Sequence, residues 1–451
     1  MRPLGLPPVD GGAMLVPRPR RPREAPGLIG GEAMRPLRNV FVSLALATAF
    51  AMSLPAAAFA ADPIKIGFSM SLTGGFASAG KPALVAMQIW EEDTNAKGGL
   101  IGRPVKLIYY DDQSNPGNVP GIYTKLLDID KVDLVVGPYG TVMTAPAMPI
   151  VMDHKMTIVS LVALALNDKF KYPKYFAMIS LSSDPTREFS QGIFDVAMKQ
   201  TPRPQTIAIA AADQEFSKGN ADGARKNAEA AGLKIVYDKT YPPSTTDFSP
   251  IVRAVQATNP DIFYIASYPP DSVGMLRAVS EVGFKPKLLG GSMAGLQAAN
   301  IKMQLGPLMN GVVTFENWLP VQSMMFPGVM DVMKKYQARA KAEGIDPLGY
   351  FLGPPAYAYL QVLGDSVTAA KGLDQDKIAE HLRTATFHTV WGDIKFGADG
   401  NWSKPRMLQV QHRNIKSNDL GEFMNPDNVV ILDPPAMKTG DLVYPYANAL
   451  K

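Results

Sequence analysis

Residues 132–146 read VDLVVGPYGTVMTAP. The apolar run Leu134-Val135-Val136 has the length and β-branched bias of a buried strand. Gly137-Pro138-Tyr139-Gly140 breaks it, and after Thr141 the residues Met143, Ala147, Ile150 and Val151 recur at helical spacing. A strand that turns straight into a helix gathers unpaired backbone N–H groups, and here a hydroxyl, at one point. Such a point attracts an anion, commonly a carboxylate or a phosphate. The turn, with Tyr139 and Thr141, is the first candidate binding element.

The same rhythm extends to both sides of this turn. Residues 64–70 read as a first strand, 71–80 as a glycine-rich loop, and a helix is expected from Pro82 to about Asn95. Residues 105–110 form a second strand, and 119–128 a helix leading into the turn. The alternation restarts with strands at 206–211, 234–236, 261–266 and 286–290 and helices at 219–231, 248–257 and 273–282. A further strand is expected at 311–315 and helices at 327–343, 356–371 and 374–384, with a strand- and loop-like tail from Gly392. Alternating strands and helices predict parallel sheets covered on both faces. Two such runs, separated by 178–185, predict two lobes of one architecture. The length, 451 residues, also favours two domains over one core.

Composition removes several function classes. Hydrophobic content of 46% with 19% charged residues fits a folded globular chain. The absence of cysteine excludes disulfides, thiolate metal sites, a cysteine nucleophile and a lipid-modified N-terminal cysteine. The net charge of +4 is carried by residues 1–60, with seven arginines against Asp10, Glu24 and Glu32. The remainder is near neutral, so no basic field argues for nucleic acid.

The N-terminus reads as an address. Met34-Arg35-Pro36-Leu37-Arg38 is a basic start, residues 40–54 are apolar, and Ala58-Phe59-Ala60 fits a small-x-small cleavage site. Residues 34–60 thus match a secretory signal peptide cleaved near Ala60/Ala61, not a lipoprotein signal. Residues 1–33 are rich in Pro, Arg and Gly without periodicity and read as a non-native extension ahead of Met34. Export places the mature chain in the periplasm or outside the cell.

Familiar chemical motifs fail on inspection. Gly75-Phe76-Ala77-Ser78-Ala79-Gly80-Lys81 follows a strand and matches seven positions of a P-loop, but the eighth, which should be Ser or Thr, is Pro82. A ligand-gripping loop carrying Phe76 is the better reading. Gly290-Gly291-Ser292-Met293-Ala294-Gly295 lacks the glycine a nucleophile elbow needs at position 294. The four histidines show no metal-ligand spacing, so neither a metal nor a cofactor is expected. Asp111-Asp112 suits cap and turn duty. Phe216 and Tyr268 each lie between a strand and a helix, where parallel sheets bind ligands.

Several ordered stretches together resemble the substrate-binding proteins of branched-chain-amino-acid-type ABC transporters. They are IKIGFSMSLTGGFASAGK, NAKGGLIGRPVKLIYYDD, VVGPYGT, TTDFSPIVRAVQATNPDIFYIASYPPD and MLRAVSEVGFKPKLLG. The resemblance implies the type I periplasmic binding fold: two Rossmann-like three-layer α/β/α lobes joined by three hinge crossovers. The hinges are expected near 180–184, 314–319 and 390–392. The first lobe would be 62–183 plus 314–390, and the second 184–313 plus 391–451.

By position, the resemblance implies that Thr141 grips the ligand carboxylate and that Tyr268 closes over the ligand from the second lobe. Phe216 stands where a tyrosine is common. In relatives that bind α-amino acids a polar segment and an acidic residue hold the ammonium. Here Val162 and Leu164 replace the polar contacts, and the acidic position aligns to Ser292 or Met293. A buried ammonium without a carboxylate is costly. The expected ligand is therefore a carboxylate with an apolar or aromatic body, not leucine, isoleucine or valine. The implied function is solute capture for ABC uptake by a monomer that docks on inner-membrane permease subunits and performs no chemistry. A sensory receptor of the same fold, and an exported α/β hydrolase, are the alternatives.

Overall fold

In a computed structural model, which describes residues 62–451 of the chain, two open sheets carry the fold. The expected extension and signal peptide lie outside the described residues. The first sheet holds β1 (Ile64–Met70), β2 (Val105–Asp111), β3 (Leu134–Tyr139), β4 (Ile158–Leu161) and β5 (Tyr175–Ala177). Its order is β2-β1-β3-β4-β5, and every neighbouring pair is parallel. The second sheet starts with β6 (Thr206–Ala212), β7 (Lys234–Tyr241), β8 (Ile262–Ser267), β9 (Leu288–Met293) and β10 (Val313–Glu316). After a small hairpin, β11 (Phe387–Thr389) and β12 (Gly392–Ile394), the sheet is completed by β13 (Leu408–His412) and β14 (Val429–Asp433). Its order is β14-β13-β10-β9-β8-β6-β7.

The first five strands of each sheet share one order, so each has its switch point beside its first strand. Ligands of such sheets bind outside the carboxyl ends of the strands there. The tail differs from a plain parallel repeat: β13 runs antiparallel to β10, and β14 antiparallel to β13.

Alternation along the strands builds the layers. In β6, Ala208, Ala210 and Ala212 face one apolar cluster while Ile207, Ile209 and Ala211 face another. Three local readings change. β3 does not stop at Val136; it runs on through Pro138 to Tyr139, with a register shift against β4 that accommodates the missing N–H. The Tyr359 hydroxyl donates to the Gly137 carbonyl at 2.7 Å, which fastens this stretch. The first helix begins at Ala77 rather than Pro82 and spans Ala77–Ala96, so Lys81 is an exposed helical residue and not a phosphate-loop lysine. Asp111 and Asp112 pin the preceding loop: Asp111 accepts from the N–H groups of Leu72 and Thr73, and Asp112 from the hydroxyls of Ser69 and Ser71.

Between the sheets the chain crosses after β5, after β10 and before β13. The Trp402 and Arg406 N–H groups donate to the Leu181 and Ser180 carbonyls at 2.9 and 2.8 Å, so residues 402–406 lie along the first crossing. Residues 390–392, where a third crossing is expected, lie in the β11–β12 hairpin instead, with 390 and 391 as its turn.

Candidate functional site

A cavity lies where the carboxyl ends of the two sheets face each other. The space free of atoms there, open solvent included, is about 420 Å³. Tyr139, Gly140, Thr141 and Val162 line it from the first sheet, and Phe216, Tyr268, Ala294 and Phe315 from the second. Ile179, Asn317 and Met407 enter from the crossings, with Phe189 and Phe351 behind them.

Thr141 is held for donation. Gly140, at φ 78° and ψ 172°, turns the chain from β3 into the helix Thr141–Asp153, whose N-terminus has no side-chain cap. Beyond β4 the chain bends through Val162 (φ 47°) and Ala165 (φ 53°). The Leu164 N–H there donates to Thr141 Oγ1 at 2.9 Å. The buried hydroxyl is thus already an acceptor, and its own proton is left for a ligand oxygen. The uncapped helix adds backbone N–H groups and the positive end of its dipole.

Seven aromatic rings form a closed circuit around the cavity. Tyr139 neighbours Phe76 (6.2 Å between centroids), Phe76 neighbours Tyr268 (5.2 Å), and Tyr268 neighbours Phe216 (5.6 Å). Phe216 leads to Phe189 (5.5 Å), Phe189 to Phe315 (4.8 Å), Phe315 to Phe351 (6.1 Å), and Phe351 back to Tyr139 (6.5 Å). Most contacts are edge-on or tilted, the geometry aromatic quadrupoles prefer. Burial pushes the Tyr139 and Tyr268 hydroxyls well above the usual phenol range, so both stay protonated. The Tyr268 hydroxyl has no hydrogen-bond partner among the described residues.

Among the described residues no Asp, Glu, Lys or Arg lines the cavity. Two buried acids of the second half are engaged elsewhere, Glu316 with Lys302 at 2.6 Å and Asp271 with the Tyr241 hydroxyl at 3.4 Å. Among the described residues no group of three or more His, Cys, Asp or Glu is placed to hold a metal ion. No described helix is long and apolar enough to cross a membrane.

Of the residues singled out from sequence, Tyr139, Thr141, Val162, Phe216 and Tyr268 meet at the cavity. Phe76 belongs to the aromatic circuit, and Leu164 acts through its N–H while its side chain faces Gly219. Ser292 does not join them. On β9 its hydroxyl accepts from Tyr264 at 3.2 Å, and Tyr264 belongs to the cluster on the sheet's far face. One residue of strand alternation separates it from the cavity side. Sequence reading missed Ile179, Phe189, Ala294, Phe315, Asn317, Phe351 and Met407. Phe315 and Asn317 carried a usable signal, since a strand ends there inside an expected crossing.

Two sheets of matching strand order that close on a cavity at their carboxyl ends define the type I periplasmic binding fold. The chain belongs to the periplasmic binding protein family, whose model matches residues 63–412. It is 25% identical over 367 residues to a leucine-, isoleucine-, valine-, threonine- and alanine-binding protein of Pseudomonas aeruginosa, covering 81% of this chain and 92% of that protein. It is 26% identical to a Leu/Ile/Val/Thr-binding protein of Salmonella typhimurium, covering 79% and 93%. Among solved structures it resembles a solute-binding protein of an ABC transporter from R. palustris in complex with 4-hydroxybenzoate (TM-score 0.69, 17% identity, 84% and 98% covered). A branched-chain amino acid transporter substrate-binding protein from Streptococcus pneumoniae in complex with isoleucine is similarly close (TM-score 0.68, 18% identity, 83% and 100% covered).

Proposed function

We propose that this protein captures a small aromatic carboxylate between two lobes, in the periplasm, and delivers it to the permease of an ABC uptake transporter. The observation that carries the reading is the closed circuit of seven rings, with Thr141 and an uncapped helix N-terminus as its one anionic grip. An aromatic body fills such a circuit through edge and face contacts. A carboxylate meets Thr141 and the helix N–H groups without needing a counter-cation. The likeness to a 4-hydroxybenzoate-binding protein supports it. We take the two sheets as the cores of two lobes, divided at the crossings after β5, after β10 and before β13 rather than at 313/314 and 390/391, and closing by hinge motion there.

The relatives named for leucine, isoleucine and valine favour an α-amino acid as a second reading. Against it stands the cavity's lack of any carboxylate for an ammonium. A thermal-shift and calorimetric screen separates the two. Benzoate and 4-hydroxybenzoate are expected to raise the melting temperature in proportion to their affinity, and leucine to leave it unchanged. Strong stabilisation by leucine, with none by either benzoate, rejects the proposal. In the same assay Thr141→Ala is expected to weaken aromatic-acid binding by about 1–3 kcal/mol, since it removes a hydrogen bond to a charged group. Unaltered affinity would take Thr141 out of the site.

A further inference from the structure

The three crossings meet at one residue, Arg406. The Arg406 backbone N–H donates to the Ser180 carbonyl of the first crossing at 2.8 Å. Its guanidinium carbon lies 5.1 Å from the ring centroid of Phe326, which stands between β10 and the helix Val329–Glu343. It lies 5.0 Å from Trp402 on the third crossing and 5.5 Å from Trp391 in the turn of the β11–β12 hairpin, and Nη2 donates to the Trp391 carbonyl. The two indoles pack edge-on at 5.1 Å. Among the described residues no carboxylate lies within ion-pair distance of Arg406, Asp393 acting on it from farther off, and its Nε has no acceptor. Three aromatic faces take the place of a counter-ion.

This cluster is also joined to the cavity wall. Met407, the next residue, lines the cavity, and the Trp391 Nε1–H donates to the Asn317 carbonyl at 2.8 Å. The Asn317 side chain lines the cavity too, and its Nδ2 donates to the Phe351 carbonyl at 3.1 Å.

The geometry points to Arg406 as the positioning residue that sets how far the lobes close. Cation–π attraction fades beyond about 6 Å from the ring centroid. All three contacts sit at 5.0–5.5 Å, so a relative shift of the crossings on the order of 1 Å releases one or more of them. The stack seen here belongs to an arrangement in which the two halves touch: the Phe76 and Tyr268 rings are 5.2 Å apart across the cavity mouth. Parting the halves bends all three crossings together, and a residue tied to the first through its backbone N–H and stacked on the second and third through its guanidinium resists that bend. A lysine keeps the charge but has no plane to offer three rings at once.

The inference rests on the two-lobe reading above but not on the identity of the ligand, and its test runs without one. The chain has no cysteine, so Gly121→Cys and Ala230→Cys label one exposed helix position in each half. The label-to-label distance distribution is measured by pulsed electron spin resonance in the parent, in Arg406→Lys and in Phe326→Leu. The long-distance population is expected to rise relative to the short one by about tenfold in Arg406→Lys, and by less in Phe326→Leu. A parent-like distribution in the folded variants overturns the inference, and a lowered melting temperature without a changed distribution does so equally. If Arg406→Lys does not fold, Phe326→Leu, a half-buried position on the second crossing, decides alone.

Discussion

Lys302→Met is expected to lower the unfolding free energy by about 3–5 kcal/mol at pH 8, and by clearly less at pH 5. Lys302 and Glu316 form an ion pair of 2.6 Å with 3% and 0% of their side chains exposed. Taking the lysine away leaves a buried carboxylate with only the cost of its desolvation. Burial already pushes the Glu316 carboxyl upward although Lys302 pulls it down, and its Oε2 has no partner. The neighbours offer no substitute. Asp346 adds repulsion and is engaged with the Ala299 and Leu348 N–H groups at 3.3 and 3.1 Å. His412 is buried and pushed well below its usual range, by burial first and by the lysine charge second, so it stays neutral.

The sign of the pH dependence follows from the raised folded pKa. The native state then holds a proton that the unfolded chain has released, so the stability this group contributes is full below the unfolded value and is lost as pH rises through the folded one. In Lys302→Met the folded value rises further. The deficit therefore shrinks towards acid, where the folded carboxyl is neutral in parent and variant alike. Urea unfolding of parent and variant at pH 5 and pH 8 measures it. An equal deficit at both pH values would show that the pair's charge is not what Lys302 neutralises.

Gly80→Ala is expected to cost about 3 kcal/mol or more, although alanine is the better helix former. A β-carbon on Gly80 would stand 2.0 Å from the Ser71 carbonyl oxygen and 2.7 Å from its carbon. These are backbone atoms, and the loop that carries them is fixed through Ser71 to Asp112 at 2.6 Å. Neither side can move without shifting Phe76, whose N–H donates to Ser114 Oγ at 3.0 Å. Aromatic-acid affinity should fall together with the melting temperature, because Phe76 belongs to the ring circuit. Gly98→Ala serves as the control for added side-chain volume, since nothing lies within 4 Å of its β-carbon position, though its φ of 96° adds strain of its own. A Gly80→Ala variant as stable as the parent would mean that the helix tolerates a wider entry.

The same glycine shows where sequence reading reaches and where it stops. β1, β3, β6 and β8 were legible because each is a short apolar run bounded by turn residues. Helix starts were placed too late: the structure begins them at Ala77, Glu215 and Pro269, not at 82, 219 and 273. Their first turns carry Phe216 and, just ahead, Phe76 and Tyr268, which serve the cavity and so break the amphipathic period. Pro82 lies inside its helix because tight packing of Gly80 on Ser71 outweighs proline's local preference. The jaw at Thr141 was legible from its strand–turn–helix pattern. The far wall was not, because Phe189, Phe351 and Met407 come from three distant stretches that share no motif. Ser292 points to the far face of β9, and the cavity is lined instead by Ala294, just beyond that strand's end.

The second sheet is stitched from residues 206–316 and 408–433, and the helices between them, Val329–Glu343 and Gly353–Ala370, lie against the helix Ala77–Ala96 on the first sheet. Neither half is therefore a continuous length of polypeptide. A chain growing from its N-terminus cannot finish the second half until its last two ribbons emerge, and before then β10 has a bare edge. Completion of the second half is thereby postponed almost to the end of synthesis.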